Sequence, residues 1–189
     1  MTNMLERPVF IDETSLKTNL VRTTGWAPVG KRLIEHAPFG HWLTQTFIAG
    51  LAQDGLIAPS VLDGAMNRVS FDAYITRQLA PALRPGQIVV ADNLSSHKSS
   101  QALALLRAQG NDLIFLPPYE PDLNPIKIIR AFTRTNGVHA LKFSKLETLI
   151  RKAAARTYRA LWRQVGAVCD LFQPQECRNY FIAAGYASN

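Results

Sequence analysis

The sequence predicts an α/β fold built on a mixed five-stranded sheet flanked by helices, and three observations carry that expectation. The first sixty residues read as short apolar runs broken by turns, the pattern of an antiparallel meander. From Ser70 onward, helix-period segments alternate with short β-branched runs, the pattern of strand–helix–strand units. Two apolar runs, Val9-Phe10-Ile11 and Ile88-Val89-Val90-Ala91, lead directly into carboxylates, Asp12-Glu13 and Asp92.

In order, Val9 to Ile11 is expected as a strand delivering Asp12 at its tip, and Thr14 to Arg22 as a second strand. Gly25-Trp26-Ala27-Pro28-Val29-Gly30 reads as a turn, and Lys31 to His36 leads toward a third strand. Trp42–Leu51 and Leu56–Leu62 flank Gln53-Asp54-Gly55 as a hairpin. Ser70 is the expected N-cap of a helix in which Phe71, Tyr74, Ile75, Leu79 and Leu83 keep helical spacing until Pro85-Gly86. Gln87 to Ala91 is a strand. Ser99 to Gln109 is a helix ended by Gly110, with Leu103 and Leu106 on one face, and Asp112 to Leu116 is the last strand. A long basic amphipathic helix is expected over 145–172, its apolar stripe including Leu149, Leu161, Val165 and Val168. Pro174 and Glu176 open a short helix that Gly185 ends. Residues 127–141 break the pattern: an Asn136-Gly137 turn signal and β-branched residues interrupt what would otherwise be helix, as an irregular insert would.

At 189 residues, one domain spanning 1–189 is expected. The net charge of +7 is concentrated, because residues 127–163 carry ten Lys/Arg against the single acid Glu147. Such a basic segment favours a polyanionic partner such as DNA. Arg151, Lys152, Arg156, Arg159 and Arg163 fall along one side of the long helix and are candidates for backbone phosphate contacts, which set affinity rather than sequence preference. The alternative is a solvated helix face, and Trp162 on that helix is a candidate self-association residue. Cys169 and Cys177 form no ligand pattern and are expected to stay reduced. No apolar run approaches the roughly 18 residues of a membrane span, and the N-terminus lacks a signal-peptide plan, so a cytoplasmic protein is expected.

The element order, with acids at the ends of the first and fourth strands, is the plan of an RNase H-like fold. There those strands lie side by side, so Asp12 and Asp92 would face each other. Carboxylates that close raise each other's pKa unless a cation lies between them, and hard oxygen donors select Mg²⁺ or Mn²⁺. Two such ions can activate water and stabilise a leaving oxygen in phosphodiester cleavage.

Phe10-Ile11-Asp12-Glu13, Gly40-His41-Trp42, Asp92-Asn93 with His97-Lys98, and Leu116-Pro117-Pro118-Tyr119 through Pro121-Asp122-Leu123-Asn124-Pro125-Ile126 together resemble the DDE transposases of bacterial insertion sequences, in the mariner-like superfamily. In the tail, the stretch from Ile150 to Thr157 and that from Pro174 to Phe181, with Gly185-Tyr186, are similar to that group as well. The resemblance implies a catalytic domain that uses a two-ion Mg²⁺ or Mn²⁺ site to cut transposon ends and join them to target DNA in the bacterial nucleoid. It also implies a possible homodimer. Two departures stand out. With Asp12 almost at the start, the family's helix-turn-helix region is expected to be either missing or supplied by a separately encoded partner. The third acid, which should follow Asn124-Pro125-Ile126, is Lys127, although the 34 residues between Asp92 and Lys127 match the family's spacing. A truncated or inactive copy is therefore expected, with Glu120, Asp122 and Glu147 as possible replacement acids. A non-catalytic DNA-binding or oligomerising remnant, or a stand-alone RNase H-like nuclease, are the alternatives.

Of the remaining residues, Glu13 is expected to tune the site or cap a turn. Asn93 would hydrogen-bond the Asp92 loop or a phosphate. His97 lies either near the scissile phosphate or satisfies its own turn. Asn124 and Pro125 are the expected N-cap and first-turn proline of the helix carrying Lys127. His41 and Trp42 are expected to be structural, and Asp63 and Asp72 to be turn and helix acids.

Overall fold

The computed structural model describes residues 6–16, 25–34, 45–118, 120, 123–128, 149, 151–152 and 157–186. Its strands are β1 (Pro8–Leu16), β2 (Gln45–Ala52), β3 (Gly55–Asp63), β4 (Ile88–Ala91) and β5 (Asp112–Phe115). They form one sheet in the order β3-β2-β1-β4-β5. The first three strands are antiparallel neighbours, while β4 runs parallel to both β1 and β5. This is the mixed five-stranded RNase H-like arrangement, with β1 and β4 adjacent at its centre.

Strand parity sorts the core into two layers. Phe10, Leu16, Phe47, Ala49, Leu51 and Val90 face helices α5 (Tyr158–Cys169) and α6 (Pro174–Ala183). Val9, Ile11, Ile48, Val89 and Ala91 face α1 (Arg68–Tyr74) and α3 (Ser100–Ala108). Both faces of β1, β2 and β4 are thus covered, which explains their near-continuous apolar sequences.

Several sequence expectations are corrected. Asp12 lies within β1, paired with Ala49, rather than at a strand tip, and Thr14–Leu16 complete that strand rather than opening a second. Residues 31–34 are exposed and outside any strand, while 17–24 and 35–44, with His41 and Trp42, lie outside the described residues. The hairpin is as expected, with Ala52 opposite Gly55 across the Gln53-Asp54 turn.

Helix α1 is capped by Asn67, not Ser70. Asn67 Oδ1 accepts from the Ser70 amide at 2.9 Å, and Ser70 Oγ accepts from the Asn67 amide at 2.9 Å. Ser70 is the returning half of a capping box, three residues into the helix. Asn67→Ala should therefore lower stability by about 1 kcal/mol, measurable as a shift in urea midpoint with unchanged slope. A π-turn over Ile75–Leu79 follows, with the Ala80 amide reaching back to Ile75, before the short α2 (Ala80–Ala82). The wide turn falls just ahead of Pro81, whose ring would collide with the carbonyl four residues back in a regular helix.

The expected single helix over 145–172 is divided. Thr157 is extended (φ −127°, ψ 153°) and its side chain accepts from the Ala160 amide, so α5 begins anew at Tyr158. A hydroxyl that can cap a helix end competes with continuation of the helix, and here capping wins. Leu161, Val165 and Val168 form the buried stripe of α5, whereas Leu171 is half exposed. Trp162 Nε1 donates to Gln45 Oε1 at 3.1 Å, and Gln45 Nε2 donates to Asp63 Oδ1 at 2.8 Å, tying α5 to the β2–β3 edge. Of the irregular stretch, Lys127 and Ile128 close the short α4 (Pro125–Ile128), and 129–141 lie outside the described residues. Among the described residues no helix is long and apolar enough to cross a membrane.

Candidate active site

The parallel pairing of β1 with β4 runs as far as Phe10 opposite Val90. Two residues further along each chain stand Asp12 and Asp92. Parity turns both toward the face occupied by Phe10 and Val90, the side on which α4 packs through buried Ile126. Glu13, one residue on, turns to the opposite face, where Phe71 lies.

Helix α4 carries Lys127 to this point and is held there from three directions. Asn124, fully buried, accepts from the Ile126 amide at 3.2 Å through Oδ1, as an N-cap ahead of Pro125 should. Ile126 is fully buried in the core. Tyr186 donates its hydroxyl to the Leu123 carbonyl at 2.8 Å while its ring packs on Phe10, which Phe181 meets edge-on.

The result is a line of alternating charge. Lys127 Nζ lies 3.3 Å from Asp12 Oδ1 and 3.5 Å from Asp92 Oδ2. The other Asp92 oxygen lies 2.6 Å from His97 Nδ1, and His97 Nε2 lies 3.2 Å from Glu13 Oε2. The order is therefore Asp12, Lys127, Asp92, His97, Glu13. The His97 ring is 1% exposed and stacks on Phe71 with centroids 4.7 Å apart. Both ring nitrogens are taken up by carboxylates, and a turn bond from the His97 amide to the Leu94 carbonyl fixes the backbone.

The protonation states follow from these contacts. Burial pushes the Asp12 carboxyl up to about 7, with Glu13 and Asp92 adding to the rise and the Lys127 ammonium opposing it. Burial acts to raise Asp92 too, but His97, Lys127 and the Leu94 amide outweigh it and hold Asp92 below the usual carboxylate range. For His97, burial would favour the neutral ring, yet Asp92 and Glu13 overcome it and push the pKa up to about 9. Lys127 is likewise raised, since Asp12 and Asp92 outweigh its burial. At neutral pH both bases carry charge.

A divalent cation bridging the carboxylates would need the space that the Lys127 ammonium holds, and like charges that close repel. Among the described residues no group of three or more His, Cys, Asp or Glu is arranged to hold a metal ion. The donor set of Asp12 and Asp92 with an ammonium between them does not fit Mg²⁺ or Mn²⁺. Glu120 is exposed, its backbone carbonyl accepting from Leu123, and does not join the cluster; Asp122 and Glu147 lie outside the described residues. Asn93, half-buried, occupies the bend after Asp92.

Of the basic candidates, Arg159 and Arg163 are exposed one turn apart on α5, opposite its buried stripe, and Lys152 is exposed on a helical stretch with half-buried Arg151. Arg156 lies outside the described residues. The pairing of His97 with both Glu13 and Asp92, and its seat on Phe71, carried no signal in the sequence, because Glu13 and Phe71 are 84 and 26 positions away and only Asp92 is near it in the chain.

The sequence model of one family, described as DDE superfamily endonuclease, matches residues 7–150. The fold is similar to three solved structures: the mariner Mos1 paired-end complex with Mg (17% identity, 99% of this chain and 58% of that one, TM-score 0.53), the pre-cleavage Mos1 transpososome (17%, 100% and 58%, 0.51) and the Mos1 mariner paired-end complex with Mn (18%, 97% and 57%, 0.51). The chain thus spans somewhat over half the length of the structures it matches. Among curated proteins, none matches it.

Proposed function

Since this chain belongs to the DDE superfamily of endonucleases, we propose that it is a DNA-transposase catalytic domain that engages double-stranded DNA but, with Lys127 between its carboxylates, leaves the DNA uncut. The reaction class this fold serves is phosphodiester cleavage and strand transfer in DNA transposition. The observation that carries the reading is the 3.3 and 3.5 Å approach of Lys127 Nζ to Asp12 and Asp92, at the position where the third acid is expected. The basic residues Arg151, Lys152, Arg159 and Arg163 supply phosphate contacts, and transposon ends are the DNA it would meet. A homodimeric state fits the same reading.

The purified chain should retard a linear duplex in a mobility-shift gel, with affinity falling steeply as salt is raised. It should leave supercoiled plasmid intact in 5 mM (on the order of millimolar) Mg²⁺ or Mn²⁺, a regime in which carboxylate-bound ions are normally supplied. Lys127→Glu should convert plasmid to the nicked form with Mn²⁺. Nicking by the wild type that Asp92→Asn abolishes would overturn the reading, as would absence of any salt-dependent shift.

A further inference from the structure

We propose that Lys127 is a built-in counter-ion whose ammonium takes the structural place of a divalent cation between Asp12 and Asp92, so that this centre is complete, and stable, without metal. The inference deepens the non-cutting reading above and rests on it. Asp12 is 4% exposed, and its carboxylate shares the site with those of Glu13 and Asp92. Three carboxylates, two within β1 and one just past the end of β4, need positive charge between them, and each of two protein cations bridges one neighbouring pair. Lys127 spans Asp12 and Asp92, and His97 spans Asp92 and Glu13.

The ammonium is tethered rather than exchangeable. Its helix is fixed by the Asn124 cap and by buried Ile126, and only 20% of the Lys127 side chain is open to solvent. A Mg²⁺ ion bound to the same carboxylates would require oxygens at about 2 Å and several further oxygen ligands. Lys127 offers none and would stand within a few ångströms of the ion with its own charge. Metal entry therefore demands that two ion pairs break first, and a lysine in this position selects against the ion as well as substituting for it.

Thermal unfolding with and without Mn²⁺, together with water-proton relaxation of Mn²⁺ solutions, tests this on the full chain. The wild-type Tm should move by no more than about 1 °C at a Mn²⁺ excess that would shift a metal-binding protein by roughly 5 °C or more. Lys127→Met leaves the carboxylates uncompensated and should drop Tm by about 5–10 °C. Adding Asp12→Asn to that variant should recover most of the drop, which marks a specific charge pair rather than lost packing. Lys127→Glu should gain a Mn²⁺-dependent rise in Tm. Wild-type relaxation enhancement lost on Asp92→Asn, or a Lys127→Met variant as stable as wild type, would overturn the proposal. The relaxation measurement on the wild type does not depend on any variant folding. Its outcome is also separate from the mobility shift, so failure of DNA binding and failure of the counter-ion reading are told apart.

Discussion

Replacing His97 with alanine should lower the unfolding free energy by about 4 kcal/mol at pH 6, the largest effect expected of any polar residue described in this protein. The ring is 1% exposed, each nitrogen faces a carboxylate, and one face stacks on Phe71. Its loss leaves Asp92 and Glu13 without the cation between them and opens a void beside Phe71, so a broken buried ion pair and a cavity act together. For a chain of this length the Tm should fall by about 8–16 °C.

The pH dependence carries a sign that packing alone would not produce. The folded-state pKa of His97, pushed up to about 9, lies above its value of 6.5 in a flexible chain. A raised base contributes stability that is fully present below the unfolded value and is lost as pH climbs through the folded one. The wild type should therefore lose about 2–3 kcal/mol between pH 6.5 and 9. His97→Gln, which keeps most of the bulk without the titrating charge, should lose far less over that interval. Urea denaturation at half-unit pH steps measures this; parallel profiles for the two proteins would refute the ion-pair account. Asp12 acts over a different interval. Its carboxyl, raised from 3.8 to about 7, makes the folded state hold a proton longer than the unfolded chain, which lowers stability as pH rises between those values. The His97 comparison is cleanest above pH 7 for that reason.

Phe181→Ala should cost a similar amount, about 4 kcal/mol, by a purely apolar route. Phe181 is fully buried and meets the Phe10 ring edge-on at 5.5 Å, joining α6 to the central strand β1. The same C-terminal region holds the helix of Lys127 in place, since Tyr186 packs on Phe10 and bonds to Leu123. Removal of the Phe181 ring should thus loosen the Lys127 ion pairs as well as the core. The check is guanidinium denaturation followed by tryptophan fluorescence, with circular dichroism to confirm that the variant still folds. A loss under about 1.5 kcal/mol would show that α6 contributes little to the sheet.

The expected plan of the sheet came through because its signals are local and repeated. Short β-branched runs, the Gln53-Asp54-Gly55 turn and the helix-period spacing from Phe71 to Leu79 each occupy a few residues, and the observed β2, β3, β4 and α1 follow them closely. The resemblance to DDE transposases, through the Asn124-Pro125-Ile126 motif and its distance from Asp92, marked Lys127 as the residue in the place of an acid. Cap positions were less legible. Asn67 and Ser70 have nearly equal capping chemistry, and only the backbone angles of the folded chain decide which stands outside the helix. Thr157 starts a new helix at a position where the apolar stripe predicts an unbroken one, because the choice between capping and continuing depends on what the rest of the chain packs against.

The ion-pair line itself was beyond local reading. That Asp12 and Asp92 would be neighbours followed from strand order, but their shared orientation depends on the β1–β4 register, in which Phe10 pairs with Val90. A one-residue slip would turn one carboxylate to the other face of the sheet. Likewise, Glu13 reaches His97 only because parity sends it to the face of Phe71, and Lys127 reaches both aspartates only because Ile126, Phe181 and Tyr186 seat its helix. Residue identity and short-range periodicity are properties of neighbouring positions along the chain, so they can be read in order. Whether an ammonium lies 3.3 Å or 10 Å (an order-of-magnitude contrast in screened attraction) from a carboxylate depends on register and packing among segments more than a hundred positions apart, and only the folded chain decides it.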